Sequence, residues 1–290
     1  MIKYNPKNWL VFNFYSRYVF KRLLPVLLLM TVFTVSLEFV VLDLLELHFP
    51  GILTFHSILG IFLGLFLVLR TNTAYDRWWE GRKLWGQLVN DTRNLAIKIN
   101  TFAKDKETIE FFGHMIPNVV VAMKEHLRES TDIEEMTFLN DEIHEGIKNS
   151  LHKPNYINKQ MYNKVKAMKQ KGDISDFEYF MMDKELKGFT DIIGACERIH
   201  STPIPYSYSM FIKKFIFFYV FTLPFGLLWQ FGHWTTLIVL PVFYFLFSLE
   251  LIAEEIEDPF GKDINDLPLD ELTKKITRNV KEILNQEIEE

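Results

Sequence analysis

The chain has 290 residues, of which 49% are hydrophobic and 15% aromatic, and its formal net charge is −5. This mild acidity, with lysines scattered rather than gathered into a basic groove, argues against a nucleic-acid partner. Cys196 is the single cysteine. An intrachain disulfide is therefore excluded, and the thiol is expected to be a small buried apolar group.

Apolar residues are concentrated in two long stretches. No Lys or Arg occurs from 23 to 69, and no Asp, Glu, Lys or Arg occurs from 215 to 249. A helix needs about 20 apolar residues to cross the hydrocarbon layer, so each stretch is long enough for two helices. Pro50, Gly51 and Gly232 supply the turns between them. The sequence therefore predicts four membrane-spanning helices at 23–45, 52–69, 215–231 and 234–251; two buried hairpins in a soluble protein are the alternative.

Basic residues flank one side of these predicted spans. They cluster before residue 23, after residue 69 and before residue 215, whereas the turns at 47–51 and 231–234 carry none. By the positive-inside rule, both termini and the middle of the chain lie in the cytoplasm of a multi-pass plasma (inner) membrane protein. The predicted parts are a cytosolic N-terminal segment 1–22, a membrane hairpin 23–69, a cytosolic helical domain 70–214, a second membrane hairpin 215–251 and a cytosolic C-terminal segment 252–290.

The middle segment is charged and has the periodicity of amphipathic helices. Apolar residues recur every three or four positions, at Leu84, Leu88, Leu95 and Ile99 and again at Ile116, Val119, Val120 and Met123. The stretches 152–160 and 169–176 are predicted loops. A last amphipathic helix is predicted over 270–286, with Leu272, Ile276, Val280 and Ile283 on one face. The predicted fold class is therefore all-α, a polytopic membrane protein with a cytosolic helical bundle.

Catalytic motifs are missing from the sequence. It contains no Gly-rich phosphate loop, no nucleophile elbow and no zinc-protease helix. His56 is an ionisable group within a predicted span, and is therefore either a functional residue or a histidine at headgroup depth. Glu38 and Asp43 are interpreted as interface markers. Gly60 and Gly64 form a Gly-x-x-x-Gly pattern that permits close helix approach.

Three motifs carry a resemblance to a known family. They are "RTNTAYDRWWEGRKLWG" at 70–86, "CERIHSTPIPYSY" at 196–208 and "IEDPFGKDINDLP" at 256–268. In this order and spacing they resemble the bacterial branch of the bestrophins. The resemblance implies a homopentameric ion channel that passively conducts small monovalent ions. It slightly favours a cation such as Na⁺, with chloride or another anion close behind, and it implies no enzyme activity. A membrane-bound enzyme or a membrane-anchored scaffold is the alternative.

The resemblance also places the pore. Three apolar residues spaced four apart line the family's narrow neck, and they correspond to Ile61, Leu65 and Leu69. Five copies of each would make three apolar rings that gate by dewetting. Ser57 and His56 would belong to the outer vestibule. The cytosolic aperture corresponds to Phe180, or to Phe177 when the alignment is counted from another motif.

Basic and acidic clusters complete the set of candidates. Arg77, Trp78 and Trp79 are expected to pack at the junction of pore helix and cytosolic bundle, where Trp85 joins them, and Arg70 to mark the membrane edge. Asp258, Asp263 and Asp266 correspond to a calcium clasp of animal members, but the acidic run is interrupted here. A capped turn is therefore favoured over a metal site, and no cofactor is expected. The expected partners are other copies of the chain, the lipid bilayer and the permeant ions.

Overall fold

The computed structural model describes residues 14–45 and 51–286. Most of the predicted N-terminal segment and of the first turn, 47–51, lies outside the described residues. The described elements are helical. They are α1 (Phe14–Glu38), continued by a π-helical turn (Phe39–Leu44), α2 (Ile52–Phe102), α3 (Lys106–Leu127), α4 (Asp141–Asn149), α5 (Lys153–Lys171), α6 (Asp176–Ser201), α7 (Tyr206–Phe231), a 3₁₀ turn (Gly232–Trp234), α8 (Thr235–Glu257) and α9 (Leu269–Ile283).

The chain divides into two compact units. The first is Met1–Trp78 with Pro203–Asp258 and Asp263–Asn265. Its core is apolar, and α1, α2, α7 and α8 supply it with Met30, Leu63, Leu67, Ile216, Val220, Val239 and Phe243. The core residues form only one stripe on each helix. The faces of these helices that point away from the core are also apolar, and they are exposed.

Three helical stretches are long and apolar enough to cross a membrane. They are Tyr18–Leu44, Ile52–Phe102 and Tyr206–Glu257, and the last contains α7, the 3₁₀ turn and α8. Both apolar stretches identified in the sequence are therefore helical within the described residues. The second helix does not stop where its apolar part ends, since α2 is 51 residues long and continues through charged sequence to Phe102.

The second unit consists of Trp79–Thr202, Pro259–Lys262 and Asp266–Glu290. It contains the end of α2, then α3 to α6, and α9. The predicted periodic residues Leu88, Leu95, Ile99, Ile116, Val119, Val120 and Met123 are all at most 1% exposed. The amphipathic interpretation of this part of the sequence is confirmed, although Leu84 is only half-buried.

Local signals explain the helix boundaries in this unit. Asp105 caps α3 by accepting the Thr108 N–H across 2.7 Å, and Ser175 and Glu178 form a capping box at the start of α6. Gly172 ends α5 with a left-handed φ of 75°, so the predicted loop at 169–176 is confirmed only for 172–175.

The predicted loop at 152–160 is wrong. Those residues open α5, with His152 as its N-cap and Pro154 in its first turn. Proline is tolerated there because the first N–H groups of a helix have no partner within the helix. The predicted C-terminal helix is confirmed as α9, and its buried stripe runs through Leu269, Thr273, Ile276 and Val280, so Leu272 and Ile283 lie at its margins.

Candidate functional site

The membrane part of α2 has two distinct faces. Leu63, Leu67 and Arg70 lie on one face and are at most 5% exposed. The predicted neck residues Ile61, Leu65 and Leu69 lie on another, with exposures of 75%, 55% and 48%. These three side chains therefore take no part in the core of their own subunit, and ordinary packing within the chain does not explain them.

The exposed face of α2 has a polar residue at each end. Ser57 precedes the three apolar residues, and its hydroxyl donates to the Leu53 carbonyl across 2.9 Å. Asp76 follows them, is exposed, and forms no ion pair within the described residues. At 100° per residue, Asp76 lies only about 20° from Leu69 around the helix. We call Ser57, Ile61, Leu65, Leu69 and Asp76 the α2 ridge.

His56 lies away from this ridge. It is 2% exposed, and its ring nitrogens contact the Ile52 carbonyl at 3.0 Å and the Thr222 hydroxyl of α7 at 2.8 Å. His56 faces α7 and both its nitrogens are engaged within the subunit, and its place in a vestibule with Ser57 stays a prediction. Ser57 alone remains on the ridge.

The two glycines of the Gly-x-x-x-Gly pattern have different surroundings. A Cβ atom at Gly60 would lie 3.0 Å from the Tyr219 hydroxyl, so glycine lets this ring of α7 approach the α2 backbone. Gly64 has nothing within 4 Å of the same position. Gly60 therefore allows close contact between α2 and Tyr219 of α7. Gly64 faces open space and makes no such contact within the subunit.

Arg70 is buried opposite the ridge. It is 1% exposed, with its Nη2 atom 2.7 Å from Glu257 Oε2 and its Nε atom 3.6 Å from Glu250 Oε1. The Glu257 carboxylate also accepts the backbone N–H of Ile204 across 2.7 Å. Arg70 is therefore held by α8 and does not reach the exposed face. Glu250 and Glu257 are not among the residues predicted from the sequence. Their only sequence signal is that each is a carboxylate at the end of a long apolar helix.

The residues expected at the junction bond to the end of α8 and the loop that follows it. Arg77 Nε donates to the Glu257 carbonyl across 2.9 Å, and Trp78 Nε1 donates to the Asn265 carbonyl across 3.0 Å. Asn265 in turn donates to the Glu255 carboxylate across 2.7 Å. Trp79 is 46% exposed, in contrast to Trp85, which is fully buried. The first and third sequence motifs therefore meet at Trp78 and Asn265.

The third motif packs tightly on itself. A Cβ atom at Gly261 would lie 2.7 Å from Asp266 Oδ2, and Asp258 ends α8 in an extended conformation. Within the described residues, one group of three or more potential metal ligands converges, and it contains none of Asp258, Asp263 and Asp266. This geometry is that of a compact turn around a buried aspartate.

Both candidates for the aperture lie in the first turns of α6. Phe177 is 75% exposed and Phe180 is 69% exposed. The Ser175–Glu178 capping box starts the helix here, and neither ring is buried in the subunit.

Glu38 has a structural role at the other end of the first unit. Its Oε1 atom accepts the Thr236 N–H across 2.9 Å and the Thr236 hydroxyl across 2.8 Å. The carboxylate, 5% exposed, thereby satisfies the N-terminus of α8. Glu38 therefore caps a neighbouring helix, and its position at the membrane interface stays a prediction.

The long apolar helices and the exposed apolar side chains of the α2 ridge are typical of a helical membrane protein. The sequence profile described as Bacterial/Fungal Bestrophin protein matches residues 1–282. A voltage-dependent anion channel-forming protein of Nostoc sp. is 37% identical over 247 residues, which cover 77% of this chain and 75% of the relative. The Escherichia coli K12 relative YneE, of the same description, is 31% identical over 221 residues, covering 76% and 73%.

Solved structures agree with the sequence comparisons. A bacterial bestrophin homologue from Klebsiella pneumoniae superposes with a TM-score of 0.82 at 26% identity, covering 90% of this chain and 98% of that one. A variant of a membrane protein superposes with a TM-score of 0.85 at 26% identity, covering 92% and 100%. The chain belongs to the bacterial and fungal bestrophin family, whose channel-named members set it among ion channels and not enzymes.

Proposed function

We propose that this chain is one subunit of a homopentameric channel that passively conducts small monovalent ions across the inner membrane. Both termini and the second unit lie in the cytoplasm, and four helices per subunit span the bilayer. The observation that carries the proposal is the α2 ridge, where Ile61, Leu65 and Leu69 stay exposed while the opposite stripe is buried. Because relatives in this family are described as channel-forming proteins, we infer that the ridge lines a pore.

The physics of a gate follows from this placement. Four helices are too few to enclose a pore, so several subunits must surround it. Residues at 61, 65 and 69 span about 12 Å of helix at 1.5 Å per residue, so five copies stack three neutral rings over that length. A narrow apolar constriction expels water and ions, and a small widening lets them return. The ridge therefore forms a hydrophobic gate in the proposed assembly.

Anions are the proposed permeant ions. The relatives in Nostoc and Escherichia coli are described as anion channel-forming proteins. The neck rings are neutral, and Arg70 is occupied by Glu250 and Glu257, so charge preference depends on residues flanking the neck. One observation favours the second candidate, a cation channel. Asp76 continues the ridge, and five exposed carboxylates would raise the local concentration of cations.

Flux from purified protein tests the proposal. The mass of the detergent-solubilised protein is measured first, and a pentamer is expected; a stable monomer contradicts the channel. The protein is then reconstituted into liposomes under a NaCl gradient, with empty liposomes as the control. A reversal potential near the chloride value supports anion conduction, and one near the sodium value supports the second candidate. If a folded pentamer conducts no ions, the channel proposal is contradicted and the membrane-anchored scaffold is favoured.

A further inference from the structure

Three potential metal-ligating side chains converge in the second unit. His126 lies near the end of α3, His152 caps α5, and Glu197 lies in α6. One ligand atom from each falls within 4.8 Å of the others. The imidazole rings are 4.5 Å apart, and both Nε2 atoms point at the same carboxylate oxygen, at 2.7 Å from His126 and 2.8 Å from His152.

Two imidazole nitrogens and one carboxylate oxygen are the ligand set of catalytic zinc sites, which keep a fourth position for water. Zinc binds His nitrogen at about 2.0–2.1 Å and carboxylate oxygen at about 2.0–2.2 Å, so neighbouring ligand atoms in a tetrahedral site lie about 3.3 Å apart. The observed separations of 2.7 and 2.8 Å are shorter by about half an ångström. An ion between the three atoms requires the side chains to move apart by about this amount, and the two hydrogen bonds to Glu197 are then replaced by bonds to the ion.

We propose that His126, His152 and Glu197 form a binding site for a divalent transition-metal ion, with Zn²⁺ as the best-suited ion. Imidazole and carboxylate ligands in this number favour Zn²⁺ over Mg²⁺ or Ca²⁺, which prefer oxygen ligands in larger number. The ion joins three helices that are far apart in sequence. Its binding therefore stabilises the folded second unit and couples the stability of this unit to metal concentration.

The site is accessible to an ion from solution. The three side chains are 29–37% exposed. A cavity of about 250 Å³ adjoins His126 and is lined by the carboxylates of Glu125 and Glu129 and by Lys153. Cys196, next to Glu197, is buried, and its sulfur does not belong to the group of converging ligand atoms.

Metal binding has a definite proton consequence at His152. A carboxylate only accepts hydrogen bonds, so Nε2 of each histidine carries the proton that it donates to Glu197. His152 Nδ1 meanwhile accepts the Asn155 N–H across 3.2 Å. An ion at Nε2 moves the His152 proton to Nδ1, and the Asn155 amide then loses its acceptor. Zinc therefore releases one capping bond of α5 while it ties the three helices together.

The experiment uses the full-length protein in detergent after dialysis against EDTA. ZnCl₂ is titrated by calorimetry, with MgCl₂ as the control ion, and thermal unfolding is recorded with and without Zn²⁺. We expect saturable binding of one Zn²⁺ per chain, a higher midpoint of unfolding, and faster hydrogen exchange at the Asn155 amide. His126→Ala and His152→Ala should each weaken binding at least about tenfold. His144→Ala removes a histidine of α4 outside the group and should retain the parental isotherm.

Several results would overturn the site. They are a lack of saturable zinc binding by the parent, or an isotherm that is unchanged when both His126 and His152 are replaced by Ala. Glu197→Gln keeps a hydrogen-bond acceptor for both histidines, so lost zinc binding in this variant with an unchanged unfolding midpoint separates ligation from folding. Equal zinc affinity for this variant and the parent would exclude Glu197 as a ligand. None of these measurements depends on ion flux. The zinc-site proposal and the channel proposal can therefore be contradicted independently of each other.

Discussion

Arg70 and Glu257 form a buried ion pair that fixes the charged end of the apolar part of α2 to the end of α8. Their Nη2 and Oε2 atoms are 2.7 Å apart, and the side chains are 1% and 12% exposed. Burying either charge alone costs several kcal/mol of solvation, and only a close, well-bonded partner offsets that cost. The pair therefore holds the helix that carries the ridge in one position against α8.

Replacing Glu257 by Ala should destabilise the protein by about 3–5 kcal/mol, because it leaves the Arg70 charge buried without its nearest partner and removes the acceptor of the Ile204 N–H. Thermal and denaturant unfolding in detergent measure the loss. Glu254→Ala is the matched control on the same helix, since its pair with Lys213 is exposed at 34% and 42% and should contribute at most about 1 kcal/mol. Equal losses in the two variants would contradict the role of the buried pair.

The spans were predictable from sequence because their signal is one of length and composition. An apolar run of about 20 residues or more predicts a membrane-spanning helix whatever its neighbours are, so these spans need no knowledge of tertiary contacts. The same holds for Ile276 and Val280 of α9, whose spacing predicts one buried face. The stretch 152–160 is harder to predict because proline, here Pro154, occurs both in loops and in first helical turns.

Pairings across the fold could not be predicted in the same way. Arg70 meets Glu257 from a distant part of the chain, and Glu38 meets Thr236 likewise. Neither carboxylate has a local sequence pattern that reveals its partner. The side that His56 faces was also undetermined, since nearly every residue around it in α2 is apolar and the helical periodicity carries no information there.

Asp270 should make the stability of the second unit depend on acid. The Arg128 guanidinium binds it through two bonds of 2.8 and 2.9 Å, and with Lys124 it holds the pKa of this carboxyl well below its ordinary value despite partial burial. A lowered folded pKa contributes stability that is present above the ordinary Asp value of about 3.9 and is lost as the pH falls below it. Asp270→Asn should therefore unfold at a lower temperature than the parent at pH 7.

This difference between Asp270→Asn and the parent should shrink as the pH is lowered through about 4. Unfolding midpoints recorded across that range measure the trend. Asp141→Asn is the control, because Asp141 is an exposed residue of the first turn of α4 with no ion pair within the described part of the chain. A gap that stays constant down to pH 3 would show that the Arg128 contact does not act through ionisation of Asp270.

Calcium should affect neither stability nor conductance. Asp266 packs against Gly261 and Asp258 ends α8, so both aspartates already have places in a compact turn. Titration of Ca²⁺ into EDTA-dialysed protein is expected to give no saturable heat and no shift in the unfolding midpoint. A micromolar isotherm that disappears in Asp263→Ala would establish a calcium clasp, with Asp141→Ala as the control for a general loss of acidic charge.

Asp76 should influence ion selectivity if the α2 ridge faces the pore. Asp76→Asn removes one carboxylate per subunit from the exposed face that also carries Leu69, so the reversal potential under a NaCl gradient should move toward the chloride value. Glu254→Gln changes the net charge equally but acts on α8, where Glu254 pairs with Lys213. An identical shift in both variants would show that the overall charge matters and that Asp76 does not face the ions.

Leu65→Ala should raise ion flux without changing the fold. Leu65 is 55% exposed on the ridge, so its truncation removes little packing within the subunit. In the proposed pentamer the substitution removes three carbons from each of five side chains, which widens the middle ring. The free energy of wetting an apolar constriction rises as the ring narrows, so the widened ring favours the hydrated, conducting state.

Leu67→Ala provides the contrast two residues further along α2. Leu67 is 5% exposed and belongs to the core formed with α7 and α8, so its truncation should cost about 2–5 kcal/mol of stability and leave the gate width unchanged. Flux from liposomes is compared at equal protein content, alongside unfolding midpoints in detergent. The ridge is the gate if Leu65→Ala conducts more than the parent with a near-parental midpoint while Leu67→Ala loses stability without gaining flux. A folded, pentameric Leu65→Ala protein that conducts no better than the parent would remove Ile61, Leu65 and Leu69 from the gate, because widening an apolar ring that lines the pore must lower its wetting barrier.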